Sequence, residues 1–427
     1  MESAHADFLI NYNMSKVIII GGGIIGLTSA YYLNKQGHQV TILEKGELLD
    51  NCSFGNAGMI VPSHFVPLAA PGMIQQGIRW MFNSKSPFYV KPSLNPELLT
   101  WGLKFMRKAT RQHVAQSAQP LTDLSLLSKS LYQDLQNQPG FAFKVTNNGI
   151  LAFYKTEKVG EEEAHLAEQG RKLGLDMAVL SAAECAALQP DLKLDVLGAV
   201  HYRCDAHLYP NQLIADLVTH LEAAGVKIQR NTEVTKIEAI NGSISKVIAG
   251  NNAYNADEYI IAGGSWSPAI ARMLNLKVSL LPGKGYSFMV EEKQNRMQIP
   301  ALLCEARVAI TPMNGSIRYG GTMEIDKLND RINMNRVRGI VESVPKYFPD
   351  LHPQLPDTKD IWFGFRPSSP DGLPYIGRVA KFKNLVIATG HGMMGLSLGP
   401  ATGKLVSEIV AGLKTTIPVD AFAPNRS

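Results

Sequence analysis

Residues 16–45, KVIIIGGGIIGLTSAYYLNKQGHQVTILEK, leave this chain few architectures. The run at 16–22 is apolar, β-branched and closed by glycines, as a buried parallel strand would be. Ile24, Leu27, Ala30, Tyr31 and Leu33 then recur at helical spacing until Gly37, and 39–44 form a second β-branched run. A βαβ unit therefore opens the fold. In its first turn Gly21, Gly23 and Gly26 stand in the GxGxxG spacing, and Glu44 ends the second strand about 20 residues on. Gly21 permits the tight turn, Gly23 lets backbone N–H groups approach a pyrophosphate, and Gly26 lets helix and strand pack closely. Glu44 is placed to accept both hydroxyls of a ribose. Ile24, Ile25 and Lys45 complete the cofactor contacts expected of this unit. No arginine follows Glu44 to meet a 2′-phosphate, which argues against NADP.

Two later stretches read as parts of the same nucleotide-binding unit. A helix is expected over 210–224, with Pro210 in its first turn, followed by a meander of short strands, VKIQR, VTKIEAI and ISKVIAG. A buried strand, DEYIIAGG at 257–264, comes next, and 384–411 again reads as strand, glycine-rich turn and helix. A flavin needs more protein around its ring than a nicotinamide does, so this distant C-terminal piece favours FAD over NAD. Val234, in the meander, is a candidate for backbone contact with the adenine. The segments between mix helices with alternating strands, including a hairpin over 308–323 around Asn314-Gly315.

The expected fold class is thus α/β. A Rossmann-type FAD-binding domain is assembled from the discontinuous segments 14–66, 201–280 and 360–427. Beside it stands an α+β substrate domain, 67–200 and 281–359, carrying a mixed or antiparallel sheet. Residues 1–13 read as an N-terminal extension.

With 427 residues, 45% of them hydrophobic, the chain can bury one large core or two that share a boundary. The net charge is +5, but Lys and Arg are dispersed rather than massed in a stripe, which argues against nucleic acid as a partner. Cys52, Cys185, Cys204 and Cys304 show neither CxxC nor zinc-type spacing, so no metal site is expected, and the thiols suit a reducing compartment. The opening MESAHADFLINYN lacks the basic start and apolar run of a secretion signal, and no apolar run reaches the roughly 18 residues of a membrane span. The expected location is cytoplasmic, with peripheral contact at the inner face of the membrane left open. That alternative rests on 98–111, LLTWGLKFMRKATR, where Leu98, Trp101 and Phe105 lie on one side and Lys104, Arg107, Lys108 and Arg111 on others. Such a helix is most often packed on its own domain; the same pattern also suits anionic lipid.

At 51–72, NCSFGNAGMIVPSHFVPLAAPG, the chain resembles the D-amino-acid dehydrogenases of the D-amino-acid oxidase/glycine oxidase superfamily. AGGSW at 262–266, PGKGYS at 282–287, RYGGTME at 318–324, GFRPSSPDGLPYIG at 364–377 and GHGMMGL at 390–396 resemble further signatures of the group. The resemblance runs through nearly all of the chain after Met14. It implies bound FAD, with Ser53, Asn56, Ala57, Gly58 and Met59 as a small-residue loop against the flavin ring. Gly263, Gly264 and Trp266 would lie near the dinucleotide, and Gly392, Met393, Met394 and Gly395 would bring the positive end of the final helix to the flavin. Some sarcosine-oxidase relatives tether FAD through a cysteine in the stretch that here holds Arg366. This chain has none there, so noncovalent FAD is expected.

The resemblance also assigns Arg366 to the substrate carboxylate, for which a planar, permanently charged fork is the right chemistry. His391 is expected to be structural rather than a base. Where glycine oxidases place a tyrosine that assists the carboxylate, this chain has Ala309. Carboxylate binding would then lean on Tyr286 or Tyr319, or the pocket would be wide enough for a ring, with Met59 and Met323 as adaptable apolar walls. The implied activity is FAD-dependent dehydrogenation of the Cα–N bond of a small D-amino acid, D-proline and cis-4-hydroxy-D-proline included, giving an imine or keto acid. A glycine- or sarcosine-type oxidase releasing peroxide is the rival enzyme. A flavin-binding protein without turnover, the oxidase module of an RNA-modifying enzyme and an NAD-dependent dehydrogenase are the other classes. Quinone, another carrier and oxygen all stay open as electron acceptor.

Overall fold

A computed structural model describes residues 14–48, 51–72, 88–90 and 96–426. The expected extension at 1–13 and parts of the 67–200 segment lie outside the described residues. The first strand, Lys16–Ile20, runs into the helix Ile24–Lys35, which ends before Gly37 at φ +88°. It forms the middle of a six-stranded sheet in the order 375–378, 385–389, 258–261, 16–20, 39–43, 227–229, parallel except for the outermost pair 375–378/385–389. Strands from the front, middle and end of the chain thus close one sheet, as the discontinuous reading requires. One detail differs. VKIQR does not join the meander: Lys227–Gln229 pairs with Thr41–Leu43 as the sheet's parallel edge, and the meander is built from 234–240, 243–249 and 252–254. Its short β-branched pattern suits either sheet, and only the turn lengths decide.

The first and last helices cross closely over this sheet. A Cβ at Gly403 would lie 2.5 Å from the Thr28 carbonyl carbon, while Thr28 Oγ1 donates to Gly399 O at 2.8 Å. Glycine on one helix therefore admits the backbone of the other.

The second sheet has nine strands among the described residues, mostly antiparallel, running from 362–368 through 281–291, 316–325, 308–313, 301–303, 150–154 and 198–202 to 177–181, with 88–90 beside 316–325. The expected hairpin is present: strands 308–313 and 316–325 turn at Asn314 (φ 41°) and Gly315 (φ 80°), the double positive φ of a tight hairpin.

Three placements correct the expected boundaries. Trp362–Ser368 belongs to the substrate-side sheet although 360–427 was assigned to the FAD side. The division at 200/201 falls inside strand Gly198–Tyr202. Helix Arg111–Leu135 and the following loop place Leu121, Leu124, Tyr132, Phe141 and Phe143 in the core of the dinucleotide side, and Tyr132 Oη donates to Leu396 O at 2.7 Å. An amphipathic helix shows its apolar stripe in sequence, but not which sheet the stripe will cover.

Candidate active site

The C-terminal edge of the parallel sheet and one face of the larger sheet enclose a cavity of about 1020 Å³. Ligands of open α/β sheets bind at this carboxyl edge. Gly21 adopts φ +115°, and a Cβ there would sit 2.6 Å from Ala262 O. A Cβ at Gly26 would strike Gly21 O. At Gly23 the nearest atom is Ser53 Oγ at 3.6 Å, so the space beside Gly23 belongs to the cavity rather than to protein. The glycines therefore divide as the fingerprint requires, two for packing and one for close approach. Glu44 accepts from Gly22 N at 2.6 Å and Gly46 N at 3.0 Å, and Ser53 Oγ accepts from Ile24 N at the helix N-terminus at 3.1 Å.

Ile24, Ile25, Glu44, Lys45, Ser53, Asn56, Ala57, Met59 and Val234 line the cavity, as do Gly263, Gly264 and Trp266. Lys45 Nζ lies 3.6 Å from the centroid of the Trp266 ring, so residues following the strands on either side of the first one meet above it. Two expected contacts are placed elsewhere. Gly26 packs against its own loop, and Gly58, at φ +76°, is pressed on Leu208 O, where only glycine fits. Cys52, for which no role was expected, also lines the cavity, its Sγ 3.3 Å from Phe365 N.

At the other end of the groove a turn at Gly392–Met394 leads into the helix Gly395–Val410, whose N-terminus has no side-chain cap. Gly392, Met393, Met394, Gly395 and Leu396 line the cavity, presenting a helix start without a side-chain cap and the positive end of the dipole. His391 is buried with Nε2 3.0 Å from Thr402 Oγ1, and burial pulls its pKa down to about 3. It is a neutral packing group. An open glycine cradle, an acidic strand end and an uncapped helix start together fit the pyrophosphate, ribose and flavin of FAD.

The substrate side is made by register. Ala152, Leu302, Ala309, Gly320 and Ser287 are paired strand to strand, forming one row across five strands. Four of the five are small. They leave an apolar floor, on which Ser287 Oγ is tied to Gly55 O at 2.9 Å. Arg366 lies at its edge, partly buried, its guanidinium passing over Gly285, where any Cβ would collide with it. Its Nη1 donates to Thr322 O, and burial lowers its pKa only to about 10, leaving it charged at neutral pH. Thr322 holds φ +63°, rare for a β-branched residue, at a register shift opposite Lys284–Tyr286. Trp101 Nε1 donates to Ser368 O at 2.9 Å and Trp101 stacks on Phe105, so the aromatic face of helix Pro96–Lys108 packs on the protein itself.

Met323 lines the cavity beside Gly283. Tyr319 does not. It stacks on Phe288 in the core on the opposite face of the sheet. Tyr286 lines the cavity, while its ring packs in that same core and its Oη accepts from Asn333 N at 3.2 Å. Alternation along a strand decides this, and it becomes readable only once the register is known. Sequence reasoning also missed Ala152, Leu302, His64 and Arg307 among the lining residues. Single small or polar residues in alternating strands carry no motif.

Among the described residues no cluster of three or more His, Cys, Asp or Glu side chains could hold a metal ion. None of their helices is long and apolar enough to cross a membrane.

Comparison with known proteins agrees with this construction. The chain is 32% identical over 428 residues to a D-amino acid dehydrogenase of Methylobacterium radiotolerans, covering 96% of this chain and 99% of that one. It is 30% identical to a D-amino acid dehydrogenase of Bradyrhizobium diazoefficiens, covering 96% and 98%. Its fold is similar to that of a glycine oxidase from Bacillus cereus, with a TM-score of 0.76 at 23% identity over 97% of this chain and 99% of that one. A likeness of TM-score 0.75 at 22% identity, covering 97% of each chain, relates it to an L-proline dehydrogenase from P. horikoshii. The DAO family, described as FAD dependent oxidoreductase, matches residues 16–409, and the chain belongs to that family.

Proposed function

We propose that the protein dehydrogenates the Cα–N bond of a small D-amino acid, a cyclic one such as D-proline or cis-4-hydroxy-D-proline included, giving an imine that hydrolyses or stays cyclic. The observation that carries this reading is Arg366, a charged guanidinium laid flat over Gly285 beside a floor of small residues, in the same cavity as the glycine cradle. Its fork suits the α-carboxylate, which fixes the direction in which Cα points. Ala309 and Gly320 leave room above the floor for a ring, and the apolar lining excludes water from the amine. Bound FAD supplies the hydride acceptor. The chain supplies orientation and desolvation, and a neutral amine needs no dedicated base. Noncovalent retention of FAD is supported by the absence of cysteine from 360–378.

The names of the relatives support the D-amino-acid assignment, while the electron acceptor is open to quinone, another carrier or oxygen. Peripheral membrane contact is supported by Leu99, Leu103 and Met106, which are exposed on one side of helix Pro96–Lys108 near Arg107 and Lys108.

The test is an anaerobic visible spectrum of the holoprotein titrated with D-proline, cis-4-hydroxy-D-proline, D-alanine, their L-forms and glycine. Bleaching of the flavin band by D-forms alone is expected. Bleaching by glycine or sarcosine with stoichiometric peroxide in air would instead establish the oxidase reading.

A further inference from the structure

The cavity holds a second cation whose place in the sheet is informative. Arg307 ends the turn directly before strand Val308–Met313 and lines the cavity at an exposed position. Because Val308 pairs with Gly321, the residue beside Arg307 on the next strand is Thr322, whose carbonyl holds Arg366. Gly285 has no side chain, so the Arg366 guanidinium reaches across its strand to the Thr322 carbonyl. Both arginines thus border the same cavity, with Thr322 beside each.

They differ in how they are satisfied. Arg366 has the Thr322 carbonyl, whereas the exposed Arg307 guanidinium has no hydrogen-bond or ion-pair partner among the described residues. No neighbour pairs with it directly. Burial and then the charge of Arg307 itself depress His64 to about 4, so this imidazole is neutral at neutral pH. Burial raises the Cys304 thiol, leaving it protonated. Glu163 accepts from Tyr202 Oη at 2.6 Å and makes no ion pair with Arg307. The Arg307 backbone, at φ +52°, holds the residue in a tight turn closed by Arg307 N to Leu303 O at 2.7 Å.

We propose that Arg307 binds a second oxygen-bearing group of the substrate, a ring hydroxyl or side-chain carboxylate, while Arg366 holds the α-carboxylate. This rests on the amino-acid reading of the site and narrows it. A substrate that satisfies both cations spans the small-residue floor, and one with a plain hydrocarbon side chain leaves Arg307, which is exposed at the edge of the cavity, to water alone.

The experiment compares kcat/KM within two matched pairs, cis-4-hydroxy-D-proline against D-proline and D-glutamate against D-norvaline, for wild-type holoenzyme, Arg307→Met and Arg307→Lys. Wild type is expected to favour the oxygenated member of at least one pair by about tenfold or more. Arg307→Met is expected to cut that ratio by about tenfold through KM of the oxygenated member, and Arg307→Lys to retain part of it. Oxidation of D-proline or D-norvaline by wild type with no preference in either pair overturns the inference, as does an unchanged ratio in Arg307→Met. Failure of every D-substrate to bleach the wild-type flavin overturns the underlying amino-acid reading instead, and the inference with it.

Discussion

The two halves of the cavity are built from different material. The dinucleotide half is made mainly of backbone: glycine turns, strand ends and an uncapped helix start, all at one edge of a parallel sheet. The substrate half is made of side chains projecting from one face of a largely antiparallel sheet, where Ala152, Leu302, Ala309, Gly320 and Ser287 meet through register. Backbone sites tolerate no added atoms at their packing positions, whereas a side-chain floor can be re-contoured one residue at a time. Binding a common cofactor and choosing a particular substrate are thereby separated within one cavity.

Substitutions test that contrast. The largest effect is expected from Gly26→Ala on the backbone side, because the new Cβ meets the Gly21 carbonyl oxygen, which cannot move independently of the loop. A loss of roughly 3–5 kcal/mol is expected, visible as a lowered melting temperature of the apoprotein, and an unchanged melting temperature would refute the packing assignment. On the side-chain side, Arg366→Met should cost about 3 kcal/mol of transition-state binding, or two orders of magnitude in kcat/KM. Its thermal stability should hardly fall, since a partly buried charge is replaced by an apolar chain. Parallel loss of melting temperature and activity would mean that Arg366 is structural.

Protons probe both halves. His391 and His64, which line the cavity, and His207, paired with Met59, are held below their ordinary value by burial, at about 3, 4 and 4. Their folded pKa values lie below the unfolded ones, so the stability they contribute is complete above about pH 6.5. It is lost as the pH falls towards those values, at about 1.4 kcal/mol per pH unit for each histidine. Chemical denaturation at pH 7 and pH 5 should show this, and His391→Gln should flatten the slope. A slope unaltered by that change would place the buried proton elsewhere.

Smaller effects sharpen the division further. Gly23→Ala should leave the apoprotein's melting temperature alone and weaken FAD roughly tenfold, about 1.4 kcal/mol, because its Cβ would enter the cavity rather than the protein. Flavin fluorescence titration measures this, and an apoprotein destabilised as much as Gly26→Ala would erase the distinction. Ala309→Tyr should fill the floor and shift kcat/KM from D-proline towards glycine by about 1 kcal/mol. Equal losses on both substrates would show that the floor does not sort by size.

The same division explains what could be read in the sequence. Gly21, Gly23 and Glu44 announced the groove because glycine and acid are demanded there at fixed intervals, and the parallel strands followed from their unbroken apolar runs. Arg366 came from a resemblance rather than from any spacing. Tyr319 was misplaced because a strand's two faces look alike until its partner is known, and one step of register exchanges them. Arg307 and Ala152 could not be found at all, being ordinary residues brought together by pairing between distant strands. Helix Arg111–Leu135 was assigned to the wrong side for a related reason: its apolar stripe was plain, its destination was not.

The pairing of Lys45 with the Trp266 ring links the two banks of the groove. Both residues line the dinucleotide end of the cavity, away from the small-residue floor, so a change at either bears on the cofactor's half and leaves the substrate's half as it is.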